Sequence, residues 1–225
     1  MSSTAQLGYA KIALALLLRV IFFKNHSRRV YIRTSLRVAT RPCDSVIHET
    51  PLNSSISFRP LVAADLALLH EWLNRDFVAQ WYHQPDPSLE GVRAKYLPSI
   101  TGADTRTRHY VTLVDERPTG MIQWYYLSDW PEYGQAIEVE EPSISIDLFI
   151  GESDMIHRGI GVEIIKTFLE EVAFPSSGTH VCYVGPESTN LAAVKCYTKA
   201  GFAPLRTLKV KGDPGLTCVM RLERC

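Results

Sequence analysis

Asn190 to Phe202 reads N-L-A-A-V-K-C-Y-T-K-A-G-F, the pattern of an amphipathic helix that ends on a glycine and leads into a strand. Leu191, Val194 and Ala200 recur at helical spacing, Ser188-Thr189 offers a polar cap region ahead of Asn190, and Gly201 supplies the stop. Tyr197 is therefore held at a fixed place near the end of that helix. Upstream, Ser143 to Ala173 reads as a second strand–loop–helix unit whose junction is Ile156-His157-Arg158-Gly159-Ile160-Gly161. The strand ends near Ile150, the loop turns through two glycines, and a helix is expected over Val162–Val172. Glycines leave backbone N–H groups bare and a helix N-terminus adds partial positive charge, so an anion such as a pyrophosphate can be gripped there without side chains. His157 and Arg158 can add charge to this cradle, and Asn190 joins the candidates for the same ligand. No G-K-[ST] follows the glycines, which excludes a phosphate loop of the Walker type.

A chain of 225 residues suits one generous domain, or one domain with an extension. Its zero net charge conceals an asymmetry. Residues 1–43 hold eight basic side chains and no acidic one, whereas the remaining 182 residues hold 16 basic and 24 acidic. The folded part is thus acidic, which argues against nucleic acid and suits a cationic ligand. Five cysteines, odd in number and without C-x-x-C spacing, read as packing thiols of a reduced, cytoplasmic chain. The seven histidines show no paired ligand spacing, so no metal is expected. Within residues 1–55, Ile12–Phe23 is apolar except for Arg19 but too short to span a bilayer, and no small-residue cleavage site follows. This segment reads as an extension outside the core domain. Export signal, transit peptide and surface-binding helix are the alternatives, none of them a stable membrane insertion.

From residue 56 to residue 225 the text is that of an α/β (α+β) domain. Ile56–Arg59, His109–Val114, Gly120–Leu127, Ser143–Ile150, Val181–Gly185, Phe202–Leu208 and Thr217–Leu222 give about seven strands, with Asp115–Thr119 joining the second and third as a hairpin turn. Helices are expected over Asp65–Asn74 and Ser88–Leu97 as well as in the two units above. The order implies a mixed central sheet with flanking helices.

The two glycine-punctuated units, in this order and at this spacing, resemble the acyl-CoA-binding half of the GNAT N-acetyltransferases. The resemblance implies acetyl-CoA as co-substrate, although the family carries Gln or Arg where this chain has Ile156. An amine must then reach the thioester and lose a proton. Asp147 shares a strand face with Ser143 and Ser145, where a carboxylate is costly without a task or a partner, and it is the candidate general base. A structural, hydrogen-bonded Asp is the alternative. Tyr197 is the candidate acid for the departing thiolate, or else a core tyrosine. Backbone N–H groups of the Asp147 strand could hold the carbonyl oxygen. Direct attack is expected, because no Cys or Ser stands in a nucleophile motif with a His.

Between Arg117 and Arg158 there is no Lys or Arg, while eight acidic residues interleave with Trp124, Tyr125, Tyr126, Trp130 and Tyr133. Carboxylates among aromatic faces suit a polyamine or amino-sugar. Over Ile56–Arg221 the chain resembles the aminoglycoside 6′-N-acetyltransferases, through Trp72-Leu73-Asn74-Arg75, Gln80-Trp81-Tyr82, Tyr96-Leu97-Pro98, Gly120-Met121-Ile122-Gln123, Ile146-Asp147, Gly159-Ile160-Gly161 and the Asn190–Phe202 run. The resemblance implies that Trp81 and Gln123 line the acceptor cleft and places Asp129 and Asp213 near family positions that bind the antibiotic. Tyr82, Tyr125 and Glu140 are further acceptor-binding candidates. The resemblance also implies that Asp147 meets the 6′-amine and Tyr197 serves the thiolate. The family's nearest branch has Asp where this chain has Gly185, so one acceptor contact is lost or moves to Glu187. Other readings are a siderophore hydroxylysine N-acetyltransferase, a protein N-terminal acetyltransferase and a degenerate ligand-binding module. The enzyme is expected to be a monomer or homodimer.

Overall fold

The computed structural model describes residues 54–211 and 213–224. The extension expected over residues 1–55, apart from its last two residues, lies outside them, as do Cys43 and Cys225. Seven strands form one sheet: β1 Ile56–Pro60, β2 Thr107–Val114, β3 Arg117–Tyr126, β4 Ile144–Ile150, β5 Val181–Val184, β6 Ala203–Leu208 and β7 Thr217–Glu223. Helices are α1 Leu66–Leu73, α2 Asp76–Ala79, α3 Leu89–Ile100, α4 Pro131–Ala136, α5 Ile160–Phe168, α6 Phe174–Ser177 and α7 Leu191–Lys199. No helix among the described residues is long and apolar enough to cross a membrane.

The sheet order is β1-β2-β3-β4-β5-β7-β6. Every neighbouring pair is antiparallel except β4 and β5, which run parallel and register at only two positions, Ile144 with Cys182 and Ser145 with Tyr183. The β2–β3 turn is tighter than the sequence suggests: Asp115 and Glu116 alone make it, both at positive φ (49° and 65°), the twist that a two-residue hairpin favours.

Side chains alternate across the pleat and divide the interior into clusters on two faces. Ile122, Trp124, Ile144 and Ile146 meet Ile160, Ile164, Ile165 and Phe168 of α5 and Tyr197 of α7. On the other face Val111, Met121 and Phe149 meet Leu66, Leu69, Trp72 and Leu73 of α1 and Val92 and Tyr96 of α3. A third cluster, Leu127, Ile137, Tyr183, Val210 and Val219, lies toward β5 and β7.

Several boundaries differ from expectation for identifiable reasons. Ser88 caps α3, its Oγ accepting from the Gly91 N–H at 3.0 Å, but the helix continues to Ile100 with Pro98 in its final turn. The helix after the glycine junction starts at Ile160, two residues early, and passes through a π-turn, Leu169–Ala173, into α6. Leu191, expected on the apolar face of this helix, is 62% exposed, whereas Ala200, expected on the same face, and Tyr197 are buried.

Gly151, just past β4, packs against α1 so closely that a Cβ there would come within 2.3 Å of the Trp72 ring. That ring is fixed, its indole N–H donating to Glu152 Oε1 at 2.8 Å. Gly151→Ala is therefore expected to destabilise the fold by about 1–3 kcal/mol, the usual cost of overpacking. The midpoint of urea unfolding, with m unchanged, measures it.

Candidate active site

The glycine junction becomes a shaped turn. His157 and Gly159 both adopt positive φ (61° and 80°), and Gly159 opens α5 from the left-handed region. Ile160 is buried in the core, so it contributes only its backbone to the junction, while His157, Arg158 and Gly159 are exposed and Ile156 is half-buried. The first N–H groups of a helix have no intrahelical acceptor, and those of α5 stand at the end of this loop. Arg158 Nη1 donates to the Asp154 carbonyl at 3.3 Å, which holds its guanidinium along the loop. Asn190 is the N-cap of α7, its Oδ1 accepting from the Ala193 N–H at 3.0 Å.

A clamp invisible in the sequence fixes the start of this loop. Glu152 accepts from the Trp72 indole and pairs with Arg75 at 3.1 Å and Arg117 at 3.0 Å, and Arg117 also reaches Asp154 at 2.7 Å. Arg75 Nη1 further donates to the Gly151 carbonyl. The Trp72 hydrogen bond, with help from the two arginines, holds the Glu152 carboxyl below the usual glutamate range.

Asp147 lies on β4 opposite Gln123, which lies opposite His109 on β2, so three polar side chains form a row across the sheet. Gln123 Nε2 donates to Asp147 Oδ2 at 2.8 Å. His109 Nδ1 is 3.0 Å from Ser99 Oγ of α3, and burial, aided by the Lys95 charge, pushes its imidazole down to about 4. Part of Asp147 stays open to solvent, yet protein surrounds it on most sides. Burial pushes its carboxyl up, opposed by Gln123, the Lys95 ammonium and the Tyr125 phenol. Tyr82, Tyr125, Tyr133 and Tyr197 all feel the Asp147 charge, and burial together with that charge raises each phenol. Tyr197, 7% exposed, stacks edge-on against Phe202 with centroids 5.4 Å apart. It therefore keeps its proton throughout the neutral range, as a donor must.

A cavity of about 150 Å³ is lined by Trp81, His83, Gly185, Glu187, Asp213, Pro214, Gly215 and Thr217. The structure thus brings together Trp81, Glu187 and Asp213, residues distant in the chain. Thr189 Oγ1 donates to Glu187 Oε1 and Thr217 Oγ1 to Asp213 Oδ2, both at 2.6 Å, so the two carboxylates are oriented in advance. Asp129 and Glu140 do not line this cavity. Asp129 is exposed in the 3₁₀ turn Leu127–Asp129, within electrostatic reach of Arg106, and Glu140 pairs with Arg221 at 2.9 Å. Sequence reasoning misses Lys95 as a neighbour of the site: its ammonium lies 5.5 Å and 5.1 Å from the ring centroids of Tyr82 and Tyr96 and donates to Gln84 Oε1 at 3.1 Å. Aromatic faces near a carboxylate already hold a cation there. Among the described residues no group of three or more His, Cys, Asp or Glu could hold a metal ion.

Removing the clamp should loosen the cradle without touching it. Glu152→Ala is expected to weaken binding of coenzyme A about threefold to tenfold, roughly 0.6–1.4 kcal/mol, read as Kd by calorimetry.

A family model described as an acetyltransferase (GNAT) domain matches residues 62–210. The aminoglycoside N(6′)-acetyltransferase type 1 of Klebsiella pneumoniae is 29% identical over 177 residues, covering 76% of this chain and 85% of that protein. Among solved structures, the aminoglycoside acetyltransferase AAC(6′)-Ib with paromomycin and acetyl-CoA aligns with TM-score 0.66 at 27% identity, over 76% of this chain and 94% of that one. The same enzyme with coenzyme A and kanamycin aligns with TM-score 0.65 at 27% identity, over 76% and 95%. With a seven-stranded mixed sheet that parts between β4 and β5, a glycine cradle at the head of α5, and a family match across most of the described residues, the chain belongs to the GNAT acetyltransferases.

Proposed function

We propose that this protein is an aminoglycoside 6′-N-acetyltransferase that moves an acetyl group from acetyl-CoA directly to the 6′-amine of the drug, and so confers resistance. The observation that carries this reading is the convergence of Trp81, Glu187 and Asp213 on one cavity whose Asp213 lies within electrostatic reach of Asp147. Carboxylates beside an indole face pair with the ammonium groups of an amino-sugar while covering its apolar surface. The similar enzymes of the same family, with aminoglycosides in their names and complexes, point the same way.

The residues present fit acetyl-CoA. The bare N–H groups at the head of α5 suit its pyrophosphate, with His157 and Arg158 at the rim. Beyond Ser145, β4 has no strand registered on its β5 side among the described residues. Its edge groups there can bond the extended arm of the ligand and receive the carbonyl oxygen as it gains charge. Acetyl-CoA supplies an acetyl group activated as a thioester.

The remaining chemistry belongs to the chain. Trp81, Glu187 and Asp213 place the polycation so that its 6′-amine reaches Asp147, which takes the proton that the nitrogen must lose. Gln123 holds the Asp147 carboxylate and favours its ionised form against burial. Tyr197, from the other face of the sheet, returns a proton to the thiolate. The two faces communicate where β4 and β5 part.

Asp147→Asn is expected to lower kcat by about 10²–10⁴-fold and Tyr197→Phe by about 10²-fold with the fold intact, the range of acid–base catalysis. Near-wild-type turnover in either variant removes that residue from the mechanism. Asp147 acts ionised, so kcat/KM should rise with pH through a value above the ordinary carboxylate range. Gln123→Leu removes a bond that favours the ionised form and should shift that acid limb to higher pH. A thiol-release assay tests the substrate class. Turnover with drugs bearing a 6′-amine and poor turnover of 6′-hydroxyl analogues is expected, and equal turnover of both contradicts the reading.

A further inference from the structure

Gly185 lies just beyond β5 in the wall of the acceptor cavity, beside Glu187 and Thr217. Its missing side chain is not replaced by open space. A Cβ at this position would lie 2.5 Å from Tyr133 Oη and 2.8 Å from Thr217 Cγ2, so the tyrosine hydroxyl already occupies the place where a side chain at 185 would begin. Tyr133 comes from α4, a six-residue helix between β3 and β4, and its ring packs against the cluster of Leu127, Ile137, Tyr183, Val210 and Val219. The segment after α4 is tied down by Arg206, whose guanidinium donates to the carbonyls of Ile137 and Glu138. The hydroxyl is thus delivered beside Gly185, a residue of the cavity wall, by a side chain rooted in the core.

We infer that Tyr133 is an acceptor-positioning and specificity-determining residue, its phenol standing at the cavity wall as a neutral hydrogen-bonding group made possible by the glycine at 185. This rests on the reading of the cavity as an acceptor site for amino-sugars. Burial and the nearby Asp147 and Asp213 charges keep the phenol protonated, so it both donates and accepts. A carboxylate in the same place would only accept, and would draw an ammonium group. The phenol instead suits a hydroxyl or ring oxygen of the acceptor at this corner, while Glu187 and Asp213 take the ammonium groups.

Kinetics of Tyr133→Phe, Gly185→Ala and the double variant test this, with an acceptor panel of aminoglycosides and spermine. Tyr133→Phe keeps the ring and its packing. It should raise KM for amino-sugars about threefold to tenfold, the loss of one hydrogen bond of ordinary strength, while KM for acetyl-CoA, KM for spermine and the melting temperature stay put. Spermine, an amine without hydroxyls, is the internal control. Gly185→Ala should lower kcat/KM in the wild-type background and cost less when combined with Tyr133→Phe. With the hydroxyl gone, the nearest ring atom is Cζ at 3.8 Å, an ordinary contact, and only Thr217 is left in the way. An unchanged KM for amino-sugars in Tyr133→Phe, or strictly multiplicative effects in the cycle, overturns the inference while the acetyltransferase reading stands. A wild-type enzyme that turns over spermine but no aminoglycoside overturns the amino-sugar reading, and this inference with it.

Discussion

The proposed site depends on two parallel strands that register at only two positions. β4 and β5 start together at Ile144–Cys182 and Ser145–Tyr183, and β4 then continues to Ile150 with β3 on one side and no registered strand on the other among the described residues. Backbone donors and acceptors seldom stay unpaired away from water, so such an edge is either wetted or made to bind an extended ligand. In the proposed mechanism the parting is where the two faces of the sheet meet. α5 and α7 cover one face with Tyr197 among their buried residues, and the other face carries the His109–Gln123–Asp147 row beneath α3. A proton donor and a proton acceptor rooted on opposite faces can serve one reaction only where the sheet opens between them.

Electrostatics follow from that placement. A carboxylate in the middle of a sheet would ordinarily lose its charge, and burial does push Asp147 upward. The Gln123 amide, the Lys95 ammonium and the Tyr125 phenol oppose burial without forming an ion pair that would lock the charge away. The carboxyl thus sits above its ordinary range with three groups that favour its charged form. Phenols around it, Tyr82, Tyr125, Tyr133 and Tyr197, are pushed in the protecting direction, so they remain neutral donors rather than competing anions. Carboxylates farther out, Glu187 and Asp213, are each held by a threonine hydroxyl and line a cavity.

Much of this is legible in the sequence because it depends on local pattern. The seven strands are read from the sequence as short runs between breaks, the first of them by alternation, and the glycine junction and the Asn190-led helix by spacing. What escapes depends on contacts between distant positions or on sequences that mimic loops. Pro131–Ala136, with its internal Gly134, is assigned no element from the sequence, yet it forms the helix that carries Tyr133. Trp72 and Glu152 are 80 residues apart, so their clamp has no sequence signature, although Trp72-Leu73-Asn74-Arg75 falls within the family resemblance. Asp129 and Glu140 lie away from the cavity that Glu187 and Asp213 line. An acidic segment supplies many carboxylates, but where each points is settled by partners such as Arg221, far along the chain.

The central claim is positional: the cleft presents one amine of a polycation to the thioester beside Asp147, and geometry rather than basicity chooses it. Two-dimensional NMR of the product of a single turnover on an aminoglycoside with several free amines tests it most directly. The account predicts one product, acetylated at the 6′-nitrogen. A mixture of regioisomers, or acetylation at an amine of the central ring, would contradict it.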